Sequence, residues 1–189
     1  IGLVKPISGK MLVNGVPING LPIIERRKKV AFVPQDRGRM GASVQASITE
    51  NAIMTHHRIN PSLTGWNRGI LDIQAAKEFT RTVRDDFSVV MGDISSPFGS
   101  LSGGNQQKVI LGRELKMGTD FILLDQPTRG LDVGSIEYVH EIILDLRRND
   151  RAVLLISSDL EELFILTDRI LVMYRGSAAA LLETECTSI

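Results

Sequence analysis

Cysteine is nearly missing from this sequence: Cys186 is the only one in 189 residues. No intrachain disulfide can form, which fits a reducing compartment. Aromatic residues make up only 5%, so aliphatic side chains must build the core. Net charge is also absent, with 22 Lys+Arg against 22 Asp+Glu. The basic footprint of a dedicated DNA or RNA binder is therefore not there. No apolar run approaches the roughly 20 residues that span a bilayer. The best candidates, 121–124 and 152–156, have the length of buried strands. No signal-peptide pattern opens the chain. It begins with Ile1, not Met, in sequence that already reads as structured, and the expectation is an N-terminal truncation. What is present is globular: 43% hydrophobic and 23% charged residues exclude wholesale disorder. The length suggests one domain.

Along the chain, residues 10–18 read as two short strands around Asn14-Gly15, a hairpin signal. A polar helical turn follows, and its closing charges, Arg26, Arg27, Lys28 and Lys29, read as a solvated face. Residues 30–33 form a short apolar strand leading into Pro34-Gln35-Asp36-Arg37. Segments 46–54 and 72–87 space apolar residues at three and four, as helices do, with a turn-rich connector at 61–69. After Gly118 the pattern alternates: strand 121–124, helix 133–148, strand 152–157, helix 160–166 and strand 169–174, closed by Arg175-Gly176. Alternation predicts an α/β fold with a parallel sheet core. The helical block 59–118 reads as a subdomain inserted between core segments 1–58 and 119–189.

The most informative segment is Leu101-Ser102-Gly103-Gly104-Asn105-Gln106-Gln107, a serine and two glycines just before a predicted helix. Glycine lets another molecule approach the backbone closely, and a helix start offers unpaired N–H groups at the positive dipole end. Together they suit a phosphate, although Ser and Gly are also ordinary helix caps. Sixteen residues after Asn105 begins Phe121-Ile122-Leu123-Leu124-Asp125. A carboxylate at the C-terminal end of a parallel strand stands where open α/β sheets bind ligands, and there it can hold Mg²⁺. Gln126-Pro127-Thr128-Arg129-Gly130-Leu131-Asp132 follows, then Ser157-Ser158-Asp159.

With these segments in order, the chain resembles the ATP-binding cassette (ABC) ATPase family over nearly its whole length. LSGGNQQ resembles the signature motif, FILLD the Walker B strand and RGLD the D-loop. Gln35 in VPQDR resembles the Q-loop glutamine, and ISSDLEE occupies the switch segment. LSGGNQQK and PTRGLDVG resemble, more narrowly, the second cassette of bacterial simple-sugar and nucleoside importers, in which two cassettes are fused. The resemblance implies a P-loop NTPase-like core with ATP and Mg²⁺ as cofactors. Gln35, Ser102, Gly103, Gly104, Asp125 and Asp132 would serve nucleotide binding, with Asp125 and Gln35 also holding the metal.

Three departures from the family pattern matter. No G-x-x-x-x-G-K-[ST] occurs: Gly9-Lys10 is followed by Met11, with Val4 where the first glycine should stand. The P-loop that cradles the β- and γ-phosphates is expected just before residue 1. The family's catalytic glutamate position holds Gln126, an amide that cannot act as a general base. The switch histidine position holds Ser158, which cannot become cationic. Two losses in one site imply a degenerate, non-hydrolytic site, and the fragment alone is expected to be inactive.

The resemblance implies an energy-coupling subunit of an importer for a sugar or nucleoside, peripheral on the cytoplasmic face of the plasma membrane. Its partners would be a second cassette, permease transmembrane subunits and, indirectly, a substrate-binding protein, with no nucleic acid. Gln35 would pass the nucleotide state to the helical insertion, which would touch the permease. The rival is a non-transport ABC ATPase of the DNA-repair or translation-factor class; a purely regulatory cassette is a third option. His56 and His57 are adjacent, a poor spacing for metal ligands. His140 and Trp66 read as structural, and Cys186 has no local group that would activate it.

Overall fold

Asn14 and Gly15 take φ values of 50° and 74°, and this turn pairs β1 (Leu12–Val13) with β2 (Val16–Pro17) in the expected hairpin. The computed structural model describes residues 2, 4–64 and 70–184; Trp66 and Cys186 lie outside the described residues. The short helix α1 (Ile23–Arg27) then leads into β3 (Val30–Val33). The four basic residues after it are not all a solvated face. Arg26 is buried and donates to the backbone oxygens of Asn19 and Leu21. Arg27 is paired with the fully buried Glu114. Only a distant carboxylate, 87 positions along, makes this charge structural, so the local pattern could not reveal it.

The sheet is built from β3, β4 (Phe121–Asp125) and β5 (Ala152–Ile156) in that order, all parallel. Val33 pairs with Leu124, and Asp125 with Ile156. Alternation decides the two faces of β4. Ile122 and Leu124 enter the main core, whereas Phe121 and Leu123 pack with Val13, Ile18 and Val30 under the N-terminal hairpin.

The helices cover the main core. α2 (Ile48–Ile53) starts at a reciprocal Ser47–Glu50 capping box. α3 (Ile73–Asp86) and α4 (Gly103–Leu115) follow, capped by Asp72 and Ser102. α2 packs on both α3 and α4, and α4 packs on β3. α5 (Val133–Arg148) connects β4 to β5 and rests on β5, while α6 (Leu160–Leu166) packs on α5. His140 of α5 meets buried Glu162 of α6 at 3.1 Å, a structural contact.

The last expected core strand, β6 (Arg169–Tyr174), differs from the sequence reading. It pairs antiparallel with β7 (Ser177–Glu183) and joins no parallel strand among the described residues. Arg175 and Gly176, at φ 48° and 80°, close this hairpin, a two-residue turn with both φ values positive. Beyond it, β5 hydrogen-bonds only to β4 among the described strands. Leu154 and Ile156 of β5, Phe164 and Ile165 of α6, and Leu171, Met173 and Leu181 of the hairpin are all exposed. Exposed apolar side chains on three successive elements mark a surface built to be covered.

Candidate functional site

The sheet register brings three of the sequence motifs to one edge. Gln35 lies two residues past the end of β3, Asp125 closes β4, and Ser158 lies two residues past β5. These are the carboxyl ends of adjacent parallel strands, where ligands bind in open α/β sheets. Gln35 is exposed, following buried Pro34. Asp36 next to it turns the chain, its Oδ1 accepting from the N–H groups of Gly38 and Arg39. That turn starts a π-helical segment, Arg37–Gly41, which sequence periodicity did not suggest.

Gln126 and Ser158, expected in one site, are in contact. The Ser158 hydroxyl donates to Gln126 Oε1 at 3.2 Å. The Gln126 N–H donates to the Ile156 carbonyl at 2.8 Å, which ties the turn to β5. Gln126 has φ 51°, an uncommon conformation for a side chain of this size. The pair is electrically neutral: it offers no carboxylate base and no imidazolium. Asp125 beside it is half-buried. With Gln35 it supplies hard oxygen donors of the kind Mg²⁺ prefers.

At the signature turn, Ser102 is the N-cap of α4. Its Oγ accepts from Asn105 N–H and Nδ2–H at 3.3 and 2.9 Å. Asn105 in turn accepts from the Val90 N–H, which holds the turn to the preceding loop. Ser102 is exposed, Gly103 half-buried and Gly104 buried. The glycines have a reason the sequence did not give. A Cβ on Gly104 would lie 2.1 Å from Ser135 Oγ and 3.5 Å from Asp132 Oδ2. A side chain at Gly104 would therefore crowd the start of α5, displacing the Ser135 hydroxyl from Asp132. A carboxylate placed there would meet Asp132 before any phosphate.

Asp132 caps α5. Its two oxygens accept from the N–H and hydroxyl of Ser135, at 3.0 and 2.8 Å. These bonds, the hydroxyl's first, hold the carboxyl below its usual range. Ser135 was missed by the sequence reading, although Asp132-x-x-Ser135 carries the spacing of an N-cap. Arg37 was also missed, though it stood inside the quoted VPQDR.

His56 is buried against Phe79, with its Nε2 unpartnered. No group of three or more His, Cys, Asp or Glu able to hold a metal occurs among the described residues. A groove of about 560 Å³ between the ends of α3, α4 and α5 contains no motif residue. The exposed Gln35, Ser102, Asp132 and Ser158 face open solvent instead.

The chain is 38% identical over 186 residues to the ribose import ATP-binding protein RbsA 2 of Rhizobium johnstonii, covering 96% of this chain and 35% of that protein. It is 35% identical over 189 residues to the nucleoside import ATP-binding protein NupA of Lactococcus lactis, covering 99% of this chain and 37% of that protein. The chain thus spans little more than a third of the relatives it matches. In fold it is similar to a dimeric ATP-binding cassette solved with ADP and Pi in a post-hydrolysis state: TM-score 0.76 at 21% identity, covering 99% of this chain and 77% of the other. The family model described as ABC transporter matches residues 1–129, and the chain belongs to the ABC transporter family.

Proposed function

We propose that this chain is part of the nucleotide-binding subunit of an importer for a sugar or nucleoside. In this reading it donates its signature turn to an ATP held by a second cassette, fused or separate, while its own site does not hydrolyse. The neutral Ser158–Gln126 hydrogen bond carries the second half. A general base must take a proton from the attacking water. The Gln126 amide oxygen is already accepting from a hydroxyl and has no useful proton affinity. Gln35 and Asp125 would hold Mg²⁺, which would neutralise phosphate charge. Asp125 makes no side-chain hydrogen bond or ion pair with a described residue, which suits that role. Ser102 and the N–H groups of Gly103 and Gly104 would meet the γ-phosphate of the opposite nucleotide.

The core would be completed by a strand carrying the P-loop, paired to the open edge of β5. Leu154, Ile156 and the exposed apolar residues of α6 and the β6–β7 hairpin support that placement. Segment 59–118 would act as the helical subdomain facing the permease, and 1–58 with 119–189 as the core, at the cytoplasmic face of the membrane. Closure of the dimer on ATP and its release on hydrolysis would supply the work by differential binding.

The test is uptake. The full-length protein reconstituted with its permease in vesicles should drive ATP-dependent entry of a labelled pentose, hexose or nucleoside. No uptake across such a panel, with ATPase activity stimulated instead by DNA or ribosomes, would assign it to the non-transport class.

The degenerate site has its own test. In the full-length protein, Gln126→Glu alone should raise ATPase activity by no more than about threefold, because Ser158 leaves the switch incomplete. Gln126→Glu with Ser158→His should exceed the product of the two single effects, since contacting residues couple. Strict additivity in the free-energy barriers would remove the shared site.

A further inference from the structure

Arg37 sits where three motifs of this chain meet. Its Nη1 donates to the carbonyl of Arg129, in the D-loop, at 3.2 Å. Its Nη2 lies 3.6 Å from where a Cβ on Gly103 would stand and 3.8 Å from one on Gly130. The same point on Gly103 is 3.9 Å from the Gly130 carbonyl. One guanidinium, carried by the turn after Gln35, thus bonds the D-loop and lies beside the first residue of α4 without a hydrogen bond to it. Gly130 reaches this contact with φ 69°, a conformation that favours glycine.

The electrostatics show what Arg37 is not there to do. A cation beside a helix N-terminus is disfavoured by the helix dipole, so it does not stabilise α4. It makes no ion pair among the described residues. Burial, the only resolved cause, pulls its pKa below the ordinary arginine value. What the planar guanidinium does supply is one hydrogen bond from the turn after Gln35 to the D-loop backbone, with its other amine packed beside the first residue of α4.

We propose that Arg37 is a positioning residue: it clamps the D-loop to the turn after Gln35, beside the signature turn, so that movement of that turn shifts the surface presented to the opposite nucleotide. This rests on the reading above, in which that surface completes a partner's ATP site. Two surfaces on one chain would then move as a unit, with Arg37 as the joint.

The experiment uses the full-length transporter assembled with its permease. Arg37→Ala should lower kcat for ATP hydrolysis by at least about tenfold while KM for ATP stays within about threefold, because alignment and not ground-state binding is lost. Arg37→Lys keeps the charge but not the fork and should recover only part of kcat. A kcat for Arg37→Ala within twofold of the parent overturns the proposal, as does full recovery by lysine. Should the alanine variant fail to assemble, amide hydrogen exchange on the lysine variant decides. Exchange at Arg129 and Leu131, whose N–H groups close the D-loop turn, should rise about tenfold, with residues 107–114 of α4 unchanged. Unchanged D-loop exchange overturns the clamp. Ser102→Asp separates the two levels of failure. Turnover insensitive to it removes the donated signature turn itself; turnover that falls with Ser102→Asp but not with Arg37→Ala removes only the role of Arg37.

Discussion

Replacing Glu114 with alanine should destabilise the native, full-length protein by about 3–5 kcal/mol, the range for breaking a buried ion pair from one side. Glu114 is fully buried, and Arg113 beside it is 2% exposed. Its Oε1 accepts from Arg113 Nε at 3.2 Å and Thr55 Oγ1 at 3.1 Å. Its Oε2 accepts from Arg27 and, at 3.2 Å, from the Phe32 N–H. Arg113 continues the network to the carbonyls of Asn51 and Gly41. One carboxylate therefore ties α4 to α1, to the turn after α2 and to β3, the strand that leads to Gln35. Without it, two guanidinium groups lose their counter-charge inside the protein. Glu114→Gln keeps the volume and one acceptor, so it should cost less, about 2 kcal/mol. Urea unfolding monitored by circular dichroism reads both, and an alanine variant within 1 kcal/mol of the parent would show that the network contributes little.

The same network makes stability fall in acid, in two windows. Burial alone would raise the Glu114 pKa, but Arg113 and Arg27 outweigh it and hold the carboxyl below its ordinary value. The unfolded chain then takes up the proton first. The contribution of Glu114 is complete above its unfolded pKa of about 4.3 and is lost as pH falls through the lower folded value. His56 acts earlier. Burial pushes its imidazole below the ordinary histidine value, against the pull of Glu114. Its contribution is complete above about pH 6.5 and declines as pH falls toward its own lower folded pKa. The Glu114→Gln variant should keep the first decline and lose the second.

Much of this architecture was legible because its signals are local. Asn14-Gly15, the apolar run of β4 and the cap at Ser102 each depend on a few consecutive residues. What stayed hidden depends on contacts across the sequence. The charge of Arg27 read as part of a solvated helix face; only the tertiary fold, with α1 packed on β3, brings it to Glu114. β6 read as another core strand because its apolar run says nothing about which neighbour it pairs with. The crowding of Gly104 by Ser135 also stayed hidden, because Ser135 arrives 31 positions later. The meeting of Gln126 and Ser158 was legible only through two motifs at once, since it follows from the parallel register of β4 on β5.

That reading of Gly104 also decides how the donated signature turn should be tested. Gly104→Asp would abolish turnover of the assembled transporter by at least about tenfold, roughly 1.4 kcal/mol, but for two inseparable reasons: a Cβ there overlaps Ser135 within the chain, and the added carboxylate faces Asp132. Ser102→Asp isolates the electrostatic part. Aspartate is as good an N-cap as serine, and it can accept from the same Asn105 N–H that Ser102 now holds, so α4 keeps its start. What changes is a negative charge on an exposed residue, at the surface where the γ-phosphate of the opposite nucleotide is proposed to sit. Repulsion should grow as the dimer closes, so the loss belongs in kcat as well as in nucleotide affinity. A fall of at least about tenfold in ATPase activity and in uptake is expected, with the melting temperature of the purified full-length protein unchanged. Asp125→Asn should reduce turnover less, because it alters the site already lacking a base at Gln126 and a cation at Ser158. The assay compares both variants in the assembled transporter at matched membrane levels. Loss of turnover with Asp125→Asn and none with Ser102→Asp would reverse which of the two nucleotide sites does the hydrolysis.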